Sequence, residues 1–321
     1  MNILITGVAG FIGSNLAKSL VNDGHTLYGI DNFSYGKKEN IAELQSNAQF
    51  NFTEGDIRDP ETLNGFDCDV LVHLASQKIP RYSNALVTLN DNSLMVKNVI
   101  NTCVTDNIKL VFASTSDVYG KNPNVPYTEE SDLLLGPTTI KRWAYATSKI
   151  FSEQLLIANH DEFDLTYVIC RFFGSYGPNQ NLTWWGGPQS VFIEKAIKKE
   201  AMDLHGDGTQ TRTFTYIDDL VDGITRCIVN EKANNQIFNI ASEPTEEIAI
   251  ADLAKMIWGK INGQDSEPMI NFVPYATFGN YEDVMRRVPS INKIKSALGY
   301  QPNYNLSDGL DLAIEWQKTQ Y

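Results

Sequence analysis

The chain has little with which to bind metal or build a disulfide scaffold. Its four cysteines, Cys68, Cys103, Cys170 and Cys227, are widely spaced, form no C-x-x-C pair and lie in or beside apolar stretches. They read as buried thiols in a reducing compartment. His25, His73, His160 and His205 share no ligand spacing with one another or with cysteine, so no metal is expected. There is no basic run of five or more, and 26 basic against 39 acidic residues leave a formal charge of −13. Nucleic acid and anionic membrane are therefore excluded as partners of the surface as a whole, although a few converging Arg and Lys could still hold a small anion. No apolar run approaches membrane-spanning length, and the first expected strand starts at Asn2, which leaves no room for a signal peptide. A cytoplasmic location is the expectation. Neither a solenoid repeat nor a low-complexity linker divides the chain.

What is present is enough for a large core: 321 residues, 42% of them hydrophobic. Short apolar runs at Asn2–Thr6, Thr26–Ile30, Phe50–Glu54, Asp69–Leu74, Lys109–Ser114 and Leu165–Arg171 read as strands, with helical patterns such as Phe11–Val21 and Asn92–Thr102 between them. Strand and helix in alternation imply an α/β fold, a Rossmann-type doubly wound parallel sheet. From about Phe173 loops rich in Gly, Pro, Asn and Trp take over, and helical stretches return at Pro188–Lys199, Ile217–Asn230 and Ile250–Lys260. The expected division is a nucleotide-binding region at 1–172, with a returning segment near 215–241 that includes a strand at Gln236–Ala241. Residues 173–321 would form a smaller C-terminal α/β substrate-binding region.

Gly7, Gly10 and Gly13 follow the first strand and open the first helix, in the spacing G-x-x-G-x-x-G. Glycines permit the tight turn and close backbone approach, and the helix N-terminus offers N–H groups to a pyrophosphate. Phe11 and Ile12 lie between them. Asp31 closes the second strand about twenty residues after the helix begins, where its carboxylate can bind both ribose hydroxyls and repel a 2′-phosphate. NAD is favoured over NADP, with Lys37 and Lys38 as the residues that could argue otherwise. Asp56-Ile57 could contact an adenine or form an ordinary turn.

Tyr145 and Lys149 are four residues apart in a helical stretch and so share a face, which lets an ammonium sit beside a phenol and lower its pKa. Such a phenol can take the proton of a substrate hydroxyl while a nicotinamide takes the hydride.

With Thr6–Gly13, Asp31–Gly36, Gly55-Asp56-Ile57, His73-Leu74-Ala75-Ser76, Ser114–Gly120, Tyr145–Lys149, Arg171-Phe172-Phe173, Tyr176-Gly177-Pro178 and Gly206–Arg212 in this order, the chain resembles the extended short-chain dehydrogenase/reductases that modify nucleotide sugars. The resemblance implies that Thr115 hydrogen-bonds the reacting sugar oxygen, that Tyr145 is the base, and that Lys149 holds the nicotinamide ribose. It adds Asn32, Leu74, Ala75 and Ser76 to the NAD site, and Arg212 and Arg287 to a site for a nucleotide sugar, UDP-linked by family frequency. It also implies a homodimer through helices at Asn84–Cys103 and Tyr145–His160. Gly174 stands where members commonly carry a substrate-contacting asparagine. Trp184-Trp185 could be an aromatic platform or a packed loop.

Family members pass through a 4-ketone and differ in its fate. Epimerases return hydride to the other face, 4,6-dehydratases commonly carry Asp-Glu after the threonine, and uronate decarboxylases resemble Ser-Thr-Ser-Glu there. This chain has Ser114-Thr115-Ser116-Asp117, one methylene from the last pattern. Asp117 could equally be a turn or ribose-contacting carboxylate. C4 epimerisation leads because it needs the fewest extra groups, decarboxylation stands close behind, and dehydration is third. A non-catalytic NAD-binding protein would be expected to lose Thr115, Tyr145 or Lys149, and all three are kept.

Overall fold

The alternation of the first half folds into a seven-stranded sheet in this computed structural model, which describes residues 1–78, 84–279 and 281–321. In chain order the strands are β1 (Asn2–Thr6), β2 (Thr26–Asp31), β3 (Phe50–Glu54), β4 (Val70–His73), β5 (Lys109–Thr115), β6 (Tyr167–Phe172), β7 (Ser175–Tyr176), β8 (Met202–His205), β9 (Thr211–Thr213), β10 (Thr215–Tyr216), β11 (Gln236–Ile240), β12 (Glu247–Ala249), β13 (Ile270–Val273) and β14 (Arg286–Arg287). The large sheet runs β11-β6-β5-β4-β1-β2-β3 with every pair parallel. Winding reverses between β1 and β4, and a reversal of this kind opens a crevice at the carboxyl ends of the strands.

Period-two alternation supplies both faces of the sheet. Ile3, Ile5, Val70, Val72, Val111, Val168 and Cys170 join one core, whereas Leu4, Leu71, Leu110, Phe112 and Ile169 join the other. Helices α1 (Phe11–Asn22) and α5 (Ile217–Val229) pack together over the first core; α2 (Ala85–Asp106) and α3 (Trp143–Phe163) pack together over the second. Each aliphatic side chain so buried is worth roughly 1.5–3 kcal/mol relative to exposure. Helix α2 is longer than the Asn92–Thr102 pattern. It starts after Asn84, whose side chain accepts from the Leu86 N–H at 2.9 Å, and ends at Asn107, which turns left-handed at φ 55°.

The later chain forms α4 (Pro188–Lys198), α6 (Ile250–Asn262), α7 (Asn292–Leu298) and α8 (Leu306–Lys318). The last two were not anticipated. Helix α8 buries Leu306, Leu310, Ala313 and Ile314, but Gly309 interrupts the stripe, because a Cβ there would stand 2.2 Å from the Tyr176 hydroxyl. Strand β9 lies between β12 and β14 in a small sheet whose register sets Arg287 opposite Arg212. Among the described residues no helix is long and apolar enough to cross a membrane, and no cluster of three or more His, Cys, Asp or Glu could hold a metal. Cys103, Cys170 and Cys227 are buried and Cys68 is half-buried; all four are free thiols.

Candidate active site

Two cavities meet the carboxyl ends of the strands. The smaller, of about 140 Å³, is lined by Gly7, Gly10, Asp31, Asn32, Asp56, Ile57, Leu74, Ala75 and Ser76, with Arg58 and Tyr35. Its floor is built from backbone. Gly7 holds φ +76°, and a Cβ there would stand 2.8 Å from the Ala75 nitrogen; a Cβ on Gly13 would stand 2.3 Å from the Gly7 carbonyl oxygen. The β1–α1 turn is therefore free of side chains where a pyrophosphate would approach a helix N-terminus. Asp31 accepts from the Ala9 and Phe33 N–H groups at 2.9 and 2.8 Å, which anchors its carboxylate at the end of β2. Burial pushes Asp31 up, and these two backbone bonds pull it back. Arg58, the cation among the lining residues, is tied to Asp56 and Asp91, and Lys38 pairs with Glu54, so neither of these two is set to receive a 2′-phosphate. Arg58 holds Asp56 well below the usual carboxylate range, at about 2. Phe11, Ile12 and Gly13 form the first turn of α1 behind this lining. These residues fit NAD.

The larger cavity, of about 260 Å³, includes Tyr145, Asp117, Arg142, Arg212, Asp283 and Arg287 in its wall. Tyr145 is in the first turn of α3, and Thr115 ends β5 with its hydroxyl accepting from the Asp117 N–H at 3.2 Å. Asn92 of α2 ties this corner together: its amide donates to the Ser148 hydroxyl at 3.0 Å, and its oxygen accepts from the Gln77 N–H at 2.7 Å. Burial, followed by the Asp117 carboxylate, pushes the Tyr145 phenol up, whereas hydrogen bonds with Thr115 and Ser76 pull it down. Lys149 lies on the same face of α3 as Tyr145. Its ammonium donates to the Ala113 carbonyl at 2.7 Å and sits 6.0 Å from the Tyr145 ring centroid, and burial pushes it down to about 7 with Glu153 opposing.

Around Tyr145 the cavity is dense in charge. Asp117 Oδ1 accepts from Arg142 Nη2 at 3.2 Å and forms an ion pair with Arg287 Nη2 at 2.6 Å. Burial alone would push Asp117 up, but Arg287, Arg142, Arg212 and Lys78 outweigh it and hold it ionised. Asp283 accepts from Arg142 at 3.1 Å, Arg212 at 3.0 Å and the Tyr275 hydroxyl at 2.7 Å, and lies near 2 because these partners overcome its burial. Four cations, Lys78, Arg142, Arg212 and Arg287, thus face two carboxylates in one wall. The excess is positive in a chain that is acidic overall, which suits a substrate bearing several negative charges.

Beneath this wall Glu153 accepts from Ser114 and from Arg171 Nε and Nη2 at 3.0 and 2.7 Å, and Arg171 also donates to the Tyr119 hydroxyl at 3.0 Å. The pair locks α3 to β5 and β6, and so fixes where Tyr145 stands.

The matching family model covers residues 3–241 and describes the NAD dependent epimerase/dehydratase family. The chain belongs to that family of enzymes. It is 33% identical over 319 residues to a UDP-N-acetyl-alpha-D-glucosaminuronate decarboxylase of Bacillus cytotoxicus, covering 98% of this chain and 96% of the relative. To UDP-glucuronic acid decarboxylase 2 of Arabidopsis thaliana it is 31% identical over 98% of this chain and 68% of the relative. The solved UDP-glucuronic acid 4-epimerase of Bacillus cereus, in complex with UDP-glucuronic acid and NAD, superposes over 100% of both chains with a TM-score of 0.88 at 29% identity.

Not every residue expected in this family's site lines a cavity. Gly174 is packed against Phe214, whose ring would lie 2.8 Å from a Cβ there, so the aromatic fills the place of an asparagine side chain. Ser116 is buried at the start of the turn after β5. Trp184 stacks on His205 at 4.4 Å in the larger cavity, and Trp185 meets Tyr35 at 4.9 Å, bridging to the smaller one. Arg142, Tyr281 and Asp283 were missed. Arg142 is three residues before Tyr145, hence on the same helical face, and that spacing was the available signal.

Proposed function

We propose that this family member binds NAD and a UDP-linked hexuronate, oxidises the sugar at C4, and releases its C6 carboxylate as carbon dioxide. The observation that carries this reading is the Asp117–Arg142–Arg287 cluster in the same cavity wall as Tyr145. Even with Asp117 and Asp283 paired, the wall keeps an excess of cations beside the base that an anionic sugar would balance. Gly7, Gly10 and Gly13 would hold the cofactor pyrophosphate, Asp31 and Asn32 its ribose, Asp56 and Ile57 its adenine, and Leu74, Ala75 and Ser76 its inner half. NAD, when bound, supplies the acceptor that takes the C4 hydride and later returns it. Tyr145 takes the proton of the C4 hydroxyl, and the Thr115 and Ser76 hydroxyls stabilise the oxygen as charge develops on it. Arg212, whose terminal donors are held by Thr211, Val284 and Asp283, would draw the diphosphate by its charge.

Once C4 is a ketone, the carboxylate is β to it. The C5–C6 bond breaks, carbon dioxide leaves, and the electron pair of that bond passes into the C4 carbonyl as an enolate, which takes a proton from solvent at C5; the Tyr145 proton returns to O4 when the C4 hydride is restored. No acid is needed for bond cleavage. Asp117 favours the loss, because a second carboxylate competing for Arg142 and Arg287 leaves the substrate carboxylate only partly neutralised. The decarboxylase relatives support this order, which places decarboxylation ahead of the epimerisation favoured by the sequence. C4 epimerisation of the same uronate is the second reading, supported by the likeness to the Bacillus cereus epimerase. The reading keeps 1–172 with the returning β11 as the cofactor region and 173–321 as mainly the substrate region. It also has a homodimer form over the exposed Leu86, Leu94 and Phe151 of α2 and α3.

Chromatography with mass spectrometry on protein incubated with NAD and UDP-glucuronate, UDP-N-acetylglucosaminuronate or UDP-glucose tests the proposal. Loss of carbon dioxide from a uronate is the expected result. A new peak of unchanged mass would assign epimerisation, and turnover of UDP-glucose alone would overturn the uronate assignment.

A further inference from the structure

Arg142 and Arg287 present the same incomplete geometry. Each points a terminal nitrogen at the single oxygen Asp117 Oδ1, at 3.2 and 2.6 Å. In each, the Nε–H is buried with no partner among the described residues. A guanidinium fork is built for two acceptor oxygens side by side, and leaving a charged donor unsatisfied out of water costs more than the roughly 1–3 kcal/mol of a neutral one. One aspartate oxygen shared between two arginines leaves the pair with an excess of positive charge on the side where Nη2 of each meets Asp117. A second carboxylate beside Asp117 would balance it.

The other edge of Arg142 is fully occupied. Its Nη1 donates to the Tyr281 hydroxyl at 2.7 Å, to Asp283 at 3.1 Å and to the Glu282 carbonyl at 3.3 Å, and its guanidinium carbon lies 5.1 Å from the Trp143 ring centroid and 5.6 Å from that of Tyr281. Those contacts come from a segment distant in sequence and fix the plane of the group, so the Nη2 side is presented toward Asp117. Arg142 also directly precedes α3, which carries Tyr145 in its first turn, so guanidinium and base are set by one rigid element. Arg212, in contrast, spends its donors on the Thr211 and Val284 carbonyls and on Asp283.

We infer that Arg142 is a specificity-determining residue that reads the sugar's C6 carboxylate, with Asp283 and Tyr281 as the residues that position it. The inference rests on the uronate reading above and goes beyond it in assigning the discrimination to the residue that caps the base's own helix. Substrate carboxylate pairs with the Arg142 guanidinium on its Nη2 side, beside Asp117, and a C6 hydroxymethyl group cannot.

Binding is read by calorimetry on NAD-loaded protein in a Tyr145→Phe background, which keeps the ligands from being consumed, with UDP-glucuronate, UDP-glucose and UDP as probes. The parent is expected to bind UDP-glucuronate at least about tenfold tighter than UDP-glucose. Adding Arg142→Gln is expected to abolish that preference while UDP affinity stays within about twofold. Arg142→Lys, which retains a charge without a fork, should lose most of it, and it decides the matter if the glutamine variant does not fold. Preference retained in a folded variant would overturn the assignment, as would an equal loss for all three ligands. A parent without preference would instead remove the uronate reading itself.

Discussion

Replacing Lys149 by methionine is expected to stabilise the nucleotide-free protein near neutral pH, although the same change removes a group of the catalytic set. Lys149 is 3% exposed, and burial takes its pKa from 10.5 to about 7. The unfolded chain therefore holds a proton between those values that the folded chain does not. Stability contributed by this position is lowest below pH 7, rises through the window from 7 to 10.5, and is restored above it. At 1.36 kcal/mol per unit the full penalty is on the order of 5 kcal/mol, an upper bound because local relaxation and water entry shrink such shifts. The lost hydrogen bond to Ala113 returns about 1 kcal/mol to the other side. Methionine has a similar length and no charge, so Lys149→Met should gain a few kcal/mol at pH 6–7 and nothing by pH 10.5. Chemical denaturation of nucleotide-stripped wild type and variant across pH 6–10.5 measures the difference. A variant that is less stable at pH 7, or a difference that does not change with pH, would refute the picture of a buried, weakened lysine.

Glu153→Gln leaves the buried Arg171 without its counter-charge and should cost about 3–5 kcal/mol in denaturant unfolding, with Tyr145 displaced and turnover reduced as a consequence. Tyr145→Phe should lower turnover by about 10²–10⁴-fold while NAD is retained, which fluorescence titration of the cofactor would check. Gly13→Ala sets a Cβ against the Gly7 carbonyl and Val8 backbone, so the β1–α1 turn must shift; NAD affinity should fall at least about tenfold, and the melting temperature should fall with it.

The sheet and the nucleotide turn were legible in the chain because their signals are local. Ile3, Ile5 and Leu4 alternate between two cores, and Gly7, Gly10 and Gly13 sit where backbone must meet backbone. Six strand positions could be read to within two residues at either end on that basis. Helices α7 and α8 were not, since Gly309 breaks the apolar stripe of α8 for a contact with Tyr176 that only the folded molecule reveals. The charged wall was half legible. Thr115, Asp117 and Tyr145 follow family motifs, but Asp283 acts through Arg142 and Arg212, which lie 141 and 71 residues away along the chain. No local pattern announces such a partner. Lys149 was placed correctly on the face of Tyr145, yet its weakened charge follows from burial, which spacing does not report.

What becomes of C6 distinguishes the two reactions, and the most direct measurement follows that carbon. UDP-glucuronate carrying an isotopic label only at its carboxyl carbon, incubated with the NAD-loaded protein, is predicted to release the label as carbon dioxide in step with formation of a UDP-pentose. Label retained in a UDP-sugar of unchanged mass would contradict decarboxylation and assign the cavity to epimerisation.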